Sequence, residues 1–228
     1  MKNIGFIGLG NMGSKMAVHL VNAGHIVYGF DLNEKLVDQL SIHGVLKSNS
    51  LTELAKEKDI IITMLPNGNI VENVLKEMLP HIKPRSLFLD CSTIDVDTAI
   101  NLNSISLRKD IKFLDAPVSG GTIGAENGTL TFMVGGTEAS FNEISPLLNL
   151  MGSKSVYCGN SGSGQATKLC NNMLLAITMI GVSETFNMAK KLNLELNILF
   201  EVVSTATGSC WAINNYCPIP GVGPTSPA

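Results

Sequence analysis

Apolar runs and amphipathic stretches alternate along the first two thirds of the chain. An apolar run at 4–7 precedes a glycine-rich turn, a helical pattern and a second apolar run that ends at Asp31. Beyond Asp31 the same rhythm predicts strands that are separated by crossover helices. Strands are predicted at 59–64, 86–90, 112–116, 130–134 and 155–158, and helices at 33–42, 51–57, 70–78, 96–108 and 138–150. This alternation is typical of an α/β protein with a doubly wound, Rossmann-type parallel sheet.

The pattern changes at residue 162 to an almost unbroken helical periodicity that ends near Leu192. A further helix is predicted at 196–205, and four prolines then argue against a packed terminal element: Pro218, Pro220, Pro224 and Pro227. The longest apolar run, 173–182, is shorter than the roughly 20 residues that cross a bilayer, and it is interpreted as a buried helix.

Two domains are therefore predicted, a sheet domain at 1–161 and an all-α domain at 162–228. The long helix of the second domain has an apolar face with little to cover it. We therefore expect this domain to be incomplete in the chain, and its face to be covered by a partner chain or by further protein.

Composition and charge exclude several classes of function. The 228 residues are 45% hydrophobic, which is enough for a sizeable core, and the net charge of −3 is spread along the chain. Neither a nucleic acid nor a membrane is expected as a partner. Five cysteines without a CxxC pair and four scattered histidines favour neither disulfides nor a metal site. The first strand starts almost at Met1 and leaves no room for a signal, so we expect a cytoplasmic protein, or a matrix protein if a mitochondrial transit peptide has been removed.

The glycine-rich turn after the first strand predicts a dinucleotide site. Gly8 permits a sharp turn, Gly10 leaves room for a pyrophosphate, and Gly13 lets the following helix lie close to the sheet. Asp31 can accept hydrogen bonds from ribose hydroxyls and would repel a 2′-phosphate, which favours NAD over NADP. The alternatives are a purely structural turn and, for Asp31, a helix cap at the surface.

A polar helical face follows residue 162, because Gln165, Lys168 and Asn172 are spaced i, i+3 and i+7. The neighbouring apolar stripe consists of Leu169, Met173, Ala176 and Ile180. We expect this stripe to pack against the sheet domain, which would bring Lys168 to the nicotinamide. A desolvated lysine can take the proton from an alcohol during hydride transfer, and Asn172 can hold the lysine or the hydroxyl in line. A solvated helix lysine is the alternative.

Three segments follow predicted strands and should converge on one crevice, namely 65–67, 92–94 and 117–121. Ser119, Gly120 and Gly121 offer a hydroxyl and two open amides to a carboxylate, although a simple turn would use the same residues. Thr93 can contact the nicotinamide or ribose, or it can cap the helix that starts near Val96.

Four segments make the chain resemble the β-hydroxyacid dehydrogenase family: 5–13, 90–95, 115–121 and 162–172. The stretches 171–176 and 208–211 are similar to its hydroxyisobutyrate branch rather than to its tartronate semialdehyde or glyoxylate relatives. The resemblance spans essentially the whole chain. It implies NAD-dependent oxidation of 3-hydroxyisobutyrate to methylmalonate semialdehyde, as in valine breakdown. The alternatives are a reductase of tartronate semialdehyde, succinic semialdehyde or glyoxylate, and a catalytically silent NAD-binding fragment.

The resemblance also implies roles for individual residues. Lys168 would be the catalytic acid/base, assisted by Asn172, and residues 119–121 would bind the substrate carboxylate. The residues that would contact the cofactor are Gly8, Leu9, Gly10, Asn11, Met12, Gly13, Asp31, Leu65, Pro66 and Thr93. Two features depart from the family pattern: Ile70 stands where a relative carries a polar cofactor contact, and relatives continue with helices that supply another lysine. A homodimer or homotetramer is expected.

Overall fold

The structure is a computed structural model that describes residues 1–224. Contacts within the chain divide it into two units, Met1–Lys168 and Leu169–Ala228. The predicted domain boundary after residue 161 stays a prediction.

The first unit contains one sheet in which most neighbouring strands are parallel. Its strands are β1 (Asn3–Ile7), β2 (Ile26–Phe30), β3 (Leu46–Lys47), β4 (Ile60–Thr63), β5 (Leu87–Asp90), β6 (Lys112–Asp115), β7 (Val118–Ser119), β8 (Leu130–Gly135) and β9 (Gly152–Gly159). The order is β3-β2-β1-β4-β5-β6-β8-β7, and β9 also pairs with β8. The order reverses between β1 and β4, which is the position where sheets of this type bind ligands beyond the carboxyl ends of their strands.

Helices connect these strands and cover both faces of the sheet. They are α1 (Gly13–Asn22), α2 (Glu34–Ser41), α3 (Leu51–Ala55), α4 (Gly68–Met78), α5 (Val96–Leu107), α6 (Gly121–Asn127) and α7 (Glu138–Met151). Consecutive strand residues point to opposite faces, so Phe6 belongs to one buried cluster and Ile7 to the other. The first unit is therefore the predicted doubly wound sheet with two apolar cores.

Three short elements of the first unit are absent from the sequence prediction, namely β3, β7 and α6. The two strands have two residues each and α6 has seven, which is too few for a hydrophobic period to be visible. The sequence also did not predict the direction of β8. In the structure β8 runs antiparallel to β6 and β7. The segment between β7 and β8 is shorter than the dozen or more residues that a parallel crossover needs.

The second unit is helical and has a small core of its own. Helix α8 (Ser163–Lys191) begins in the first unit, and α9 (Leu196–Thr205) and the unpredicted α10 (Trp211–Asn215) follow. The core contains Val182, Phe186, Ala212, Ile213, Cys217 and Val222. Because Cys217 and Val222 are buried, the prediction that the proline-containing end does not pack is wrong up to residue 224. The prolines fix the backbone there but leave the side chains between them free to pack. Pro227 lies outside the described residues.

The apolar stripe of α8 is exposed, since Leu169, Met173, Ala176 and Ile180 are all accessible to solvent. The prediction that this stripe is buried is therefore wrong for the described chain. The prediction that the run 173–182 is buried is wrong for most of its residues, although Val182 at its end belongs to the core of the second unit. By length and composition alone α8 can cross a membrane, because its most apolar window has a mean hydropathy of 1.2. This is weak evidence, since core helices of soluble proteins pass the same test.

The core of the second unit leads to a prediction about stability. Phe186 has no exposed surface, and we expect Phe186→Ala to lower the free energy of unfolding of this unit by about 3–5 kcal/mol. Met188→Ala on the same helix is the control, because Met188 is 59% exposed and its loss should change stability by less than about 0.5 kcal/mol. Urea unfolding followed by circular dichroism measures both variants. Equal losses in the two would contradict the described core.

Candidate functional site

Two of the three glycines in the turn after β1 are required by the fold. Gly8 has φ +88°, and a Cβ there would overlap the carbonyl oxygen of Met64. A Cβ on Gly13 would overlap the carbonyl oxygen of Gly8, so α1 can approach β1 only without a side chain at this position. Around Gly10, by contrast, no atom lies within 4 Å of an added Cβ. Packing therefore explains Gly8 and Gly13, whereas Gly10 borders open space.

The backbone amides beside that open space suit an anion. Helix α1 begins at Gly13, and in the part of the chain that the structure describes the amides of Gly10, Asn11 and Met12 donate no hydrogen bond. Unpaired amides and the positive end of the helix dipole attract negatively charged groups. These residues fit the pyrophosphate of a dinucleotide.

Asp31 connects the end of β2 to the same turn. Its Oδ2 accepts a hydrogen bond from the amide of Leu9 at 2.7 Å, and its Oδ1 accepts one from the amide of Asn33 at 2.8 Å. Helix α2 has Asn33 rather than Asp31 as its N-cap residue. Each carboxylate oxygen retains a further lone pair. Asp31 can therefore keep its bond to the Leu9 amide and still accept hydrogen bonds from ribose hydroxyls.

The loops after β4 and β5 are joined by hydrogen bonds. The amide of Leu65 donates to the hydroxyl oxygen of Ser92 at 2.9 Å. Asp90 is fully buried, and its Oδ1 accepts bonds from the Thr63 hydroxyl at 2.8 Å and the Ser92 amide at 3.1 Å. The loop containing Leu65 and Pro66 therefore lies against the loop containing Thr93.

Lys168 joins the Thr93 loop to the segment after β6. Its Nζ donates to Thr93 Oγ1 at 2.8 Å and to the carbonyl oxygen of Val118 at 2.7 Å. Burial lowers the pKa of Lys168 from its ordinary value, because desolvation disfavours the ammonium form. Thr93 does not cap α5, since Asp95 does so by accepting a bond from the Thr98 amide. Lys168 thus differs from a solvated helix lysine. It joins two of the three predicted segments, 92–94 and 117–121, and the third, 65–67, is hydrogen-bonded to the first of these.

Residues 119–121 span the end of β7 and the start of α6 and are exposed. Gly120 and Gly121 have φ values of +130° and +61°, which residues with a side chain rarely adopt. Gly120 and Gly121 lie two and three residues beyond Val118, whose carbonyl oxygen accepts a bond from Lys168. Asn172 belongs to the second unit, where it is exposed and accepts a bond from the Asn171 side chain at 3.2 Å.

Two buried polar residues connect the start of α8 to the sheet and to the Thr93 loop, and the sequence pattern indicated neither connection. Asp115, at the end of β6, is fully buried and accepts bonds from the amides of Gly162 at 2.7 Å and Gln165 at 3.0 Å. Gln165 accepts a bond from the Ile94 amide and donates one to the Ser92 carbonyl. In the sequence, Asp115 is distinguished only as an acidic residue at the end of an apolar strand. Gln165 is distinguished only by its place on the polar face of the helix.

Comparison with known proteins places this geometry in a family. Residues 3–159 match the sequence model described as the NAD binding domain of 6-phosphogluconate dehydrogenase. Residues 162–221 match the one described as NAD-binding of NADP-dependent 3-hydroxyisobutyrate dehydrogenase. The 3-hydroxyisobutyrate dehydrogenase, mitochondrial, of Drosophila melanogaster is 49% identical over 228 residues, covering 100% of this chain and 70% of the relative. The chain belongs to the 3-hydroxyisobutyrate dehydrogenase family.

Other members agree with this assignment. The structure of the Mycobacterium tuberculosis 3-hydroxyisobutyrate dehydrogenase with L-serine has a TM-score of 0.96 and 45% identity, and the match covers 100% of this chain and 78% of that one. An NAD-dependent L-serine dehydrogenase of Pseudomonas aeruginosa is 41% identical over 231 residues, covering 100% of this chain and 78% of the relative. The predicted family, the doubly wound fold and the NAD-dependent dehydrogenase class are confirmed.

The glycine turn of this family member gives a paired prediction. Gly13→Ala should lower the free energy of unfolding by about 1–3 kcal/mol, because the added Cβ displaces the Gly8 carbonyl. Gly10→Ala should change stability by less than about 0.5 kcal/mol, since its Cβ enters open space, yet weaken NAD binding roughly tenfold or more. Thermal unfolding and NAD titration calorimetry separate the two effects. Normal NAD affinity in Gly10→Ala would show that the pyrophosphate lies elsewhere.

Asp90 gives a prediction about pH and stability. Its Oδ2 has no hydrogen-bond partner in the described chain, and burial raises the pKa of Asp90 from 3.8 to about 6. The folded state therefore holds this proton more tightly than the unfolded state, and stability falls as pH rises from about 4 to about 6.

Asp90→Asn removes this titration. Relative to the wild type, the variant should therefore gain on the order of 2 kcal/mol of unfolding free energy at pH 7 compared with pH 4. Urea unfolding at both pH values measures the shift. Asp97→Asn, at an exposed position on α5, is the matched control. Parallel pH profiles for the wild type and Asp90→Asn would contradict the raised pKa.

Proposed function

We propose that this protein oxidises 3-hydroxyisobutyrate to methylmalonate semialdehyde with NAD as a step of valine breakdown. The observation that carries the proposal is the partly desolvated Lys168, whose Nζ lies 2.8 Å from Thr93 Oγ1 in the loop after β5 and 2.7 Å from the carbonyl oxygen of Val118 in β7. The names of the Drosophila and Mycobacterium relatives support the choice of substrate.

Lys168 is suited to take the proton from the substrate hydroxyl. NAD, when bound, supplies the hydride acceptor. A neutral lysine has two N–H groups and one lone pair, and here Thr93 Oγ1 and the Val118 carbonyl accept from both N–H groups. The lone pair is left for the substrate hydroxyl, and the lowered pKa makes the neutral form more accessible near neutral pH. Lys168 thereby receives the hydroxyl proton as the carbinol carbon loses its hydride.

The turn at residues 119–121 is proposed to hold the substrate carboxylate. The Ser119 hydroxyl and the amides of Gly120 and Gly121 are possible donors to a carboxylate, and all three residues are exposed. The Val118 carbonyl links this turn to Lys168, so the carboxylate and the hydroxyl of a short 3-hydroxy acid can be held by neighbouring groups. Asn172 is proposed to orient the hydroxyl.

L-serine is the second candidate substrate. It has the carboxylate and the C3 hydroxyl of 3-hydroxyisobutyrate, and it carries an ammonium group in place of the methyl group. The Pseudomonas aeruginosa relative is named NAD-dependent L-serine dehydrogenase, and the Mycobacterium tuberculosis structure was determined with L-serine. These two relatives favour testing serine first among the alternatives.

A substrate panel on the protein at its full natural length tests the proposed function. Rates are measured with NAD and NADP for 3-hydroxyisobutyrate and L-serine, and in reverse for tartronate semialdehyde, succinic semialdehyde and glyoxylate. We expect the highest kcat/KM for 3-hydroxyisobutyrate with NAD, because Asp31 would repel the 2′-phosphate of NADP. A higher value for serine would select the second candidate, and NAD binding without any turnover would indicate a silent module.

Replacement of Lys168 gives a prediction about catalysis. Lys168→Ala should lower kcat about 10²- to 10⁴-fold and leave the Kd of NAD nearly unchanged, because the amine handles the substrate proton. Lys154→Ala, at an exposed position on β9, is the control and should keep wild-type turnover. In the wild type, oxidation should rise with pH through a lysine pKa below the usual value, and this rise should disappear with the amine. Full turnover in Lys168→Ala would end the proposal.

Assembly and location are also proposed. The exposed apolar stripe of α8 supports a homodimer or homotetramer. Relatives from Drosophila melanogaster and Dictyostelium discoideum are named mitochondrial, which fits a matrix location if the source is eukaryotic, and a cytoplasmic one otherwise.

A further inference from the structure

We propose that Gln165 is a positioning residue whose carboxamide holds the backbone on both sides of Thr93, and thereby fixes the Thr93 hydroxyl against Lys168. This proposal rests on the proposed function, in which Lys168 handles the substrate proton. It assigns a task to a residue that touches none of the groups expected to react.

The carboxamide of Gln165 uses both its acceptor and its donor on one loop. Its Oε1 accepts a bond from the Ile94 amide at 3.1 Å, and its Nε2 donates to the Ser92 carbonyl at 2.8 Å. Gln165 is only 3% exposed, so water does not compete for these bonds. The two backbone groups lie on either side of Thr93, and fixing both restricts the rotation that would swing the Thr93 side chain away.

The other end of Gln165 is equally constrained. Its backbone amide donates to Asp115 Oδ2 at 3.0 Å in the first turn of α8. Lys168 follows three residues later on the same helical face, so the carboxamide and the amine belong to one turn of helix. A movement of this turn carries Lys168 and the Thr93 loop together, which preserves the 2.8 Å contact between Nζ and Thr93 Oγ1.

An amide is suited to this task because the loop presents one donor and one acceptor. An ionised carboxylate can accept a hydrogen bond from the Ile94 amide, but it has no proton to donate to the Ser92 carbonyl oxygen. A methionine side chain fills a similar volume and satisfies neither group. These two replacements therefore separate loss of the hydrogen bonds from loss of volume.

The first test is Gln165→Met in the full-length protein. We expect kcat to fall about 10- to 100-fold, because a misplacement of the order of 1 Å at the reacting groups has such an effect. The pH at half-maximal oxidation should also move upward, since Lys168 without its Thr93 contact is better hydrated and regains a pKa nearer the ordinary value. The Kd of NAD should change little, whereas the Tm should fall by several degrees, because the Ile94 amide and the Ser92 carbonyl lose their buried partner. Gln39→Met, at an exposed position on α2, should leave all four quantities unchanged.

The second test is Gln165→Glu, assayed in the direction of aldehyde reduction. Lys168 acts there as the acid, so low pH keeps it in the active form. A protonated carboxyl group donates to the Ser92 carbonyl and accepts from the Ile94 amide, as the amide does. The ratio of variant to wild-type kcat should therefore rise as pH falls toward about 5, which a packing role alone would not produce.

The outcomes distinguish this proposal from the proposed function. Wild-type kcat and pH profile in Gln165→Met, beside an inactive Lys168→Ala, would overturn the positioning role and leave the proposed function intact. A pH-independent activity ratio in Gln165→Glu would also overturn it, even if the methionine variant fails to fold. Full turnover in Lys168→Ala would remove the basis of both proposals.

Discussion

The buried carboxylate of Asp115 is the group on which the arrangement around Lys168 depends. It lies at the end of β6 and accepts bonds from the amides of Gly162 and Gln165 at the start of α8. Burial raises the pKa of Asp115, and these amides and the positive end of the helix offset part of the desolvation. Because Lys168 is only one turn further along α8, its position relative to the sheet follows from this cap.

The surroundings of Asp115 leave little freedom. A Cβ on Gly135 would lie 2.6 Å from Oδ1, and one on Gly164 would lie 2.8 Å from Oδ2. The first turn of α8 and strand β8 can therefore reach the carboxylate only because both positions lack a side chain. From Asp115 a series of hydrogen bonds continues through Gln165 to the loop after β5, and from Ser92 to Leu65 in the loop after β4. Such a network holds the loops in place before any ligand binds.

The sequence pattern could predict those features that depend on local periodicity or on a fixed spacing. Alternating apolar runs indicated the doubly wound sheet, and the i, i+3 spacing placed Gln165 and Lys168 on one helical face. The task of Gln165 could not be predicted, because its partner Ser92 lies 73 residues away in the chain. The stripe on α8 is apolar, as the periodicity indicated, but the prediction that it is buried against the sheet domain was wrong. Periodicity shows which side chains share an apolar face, and it does not show which surface covers that face. The packing of Cys217 and Val222 in the proline-containing segment was not predicted. Proline constrains the backbone, but it does not prevent neighbouring side chains from being buried.

Under the proposed function, the carboxylate of Asp31 has two tasks that cannot be altered independently. It holds the Leu9 amide within the glycine turn, and its charge would disfavour a phosphate on the adenine ribose. A neutral, non-accepting residue at this position would remove the repulsion and would also release the backbone that shapes the turn. Redesign toward the phosphorylated cofactor would therefore need a side chain that keeps the acceptor for Leu9, with new cationic groups supplied from elsewhere. Selectivity and loop geometry are coupled here through a single side chain.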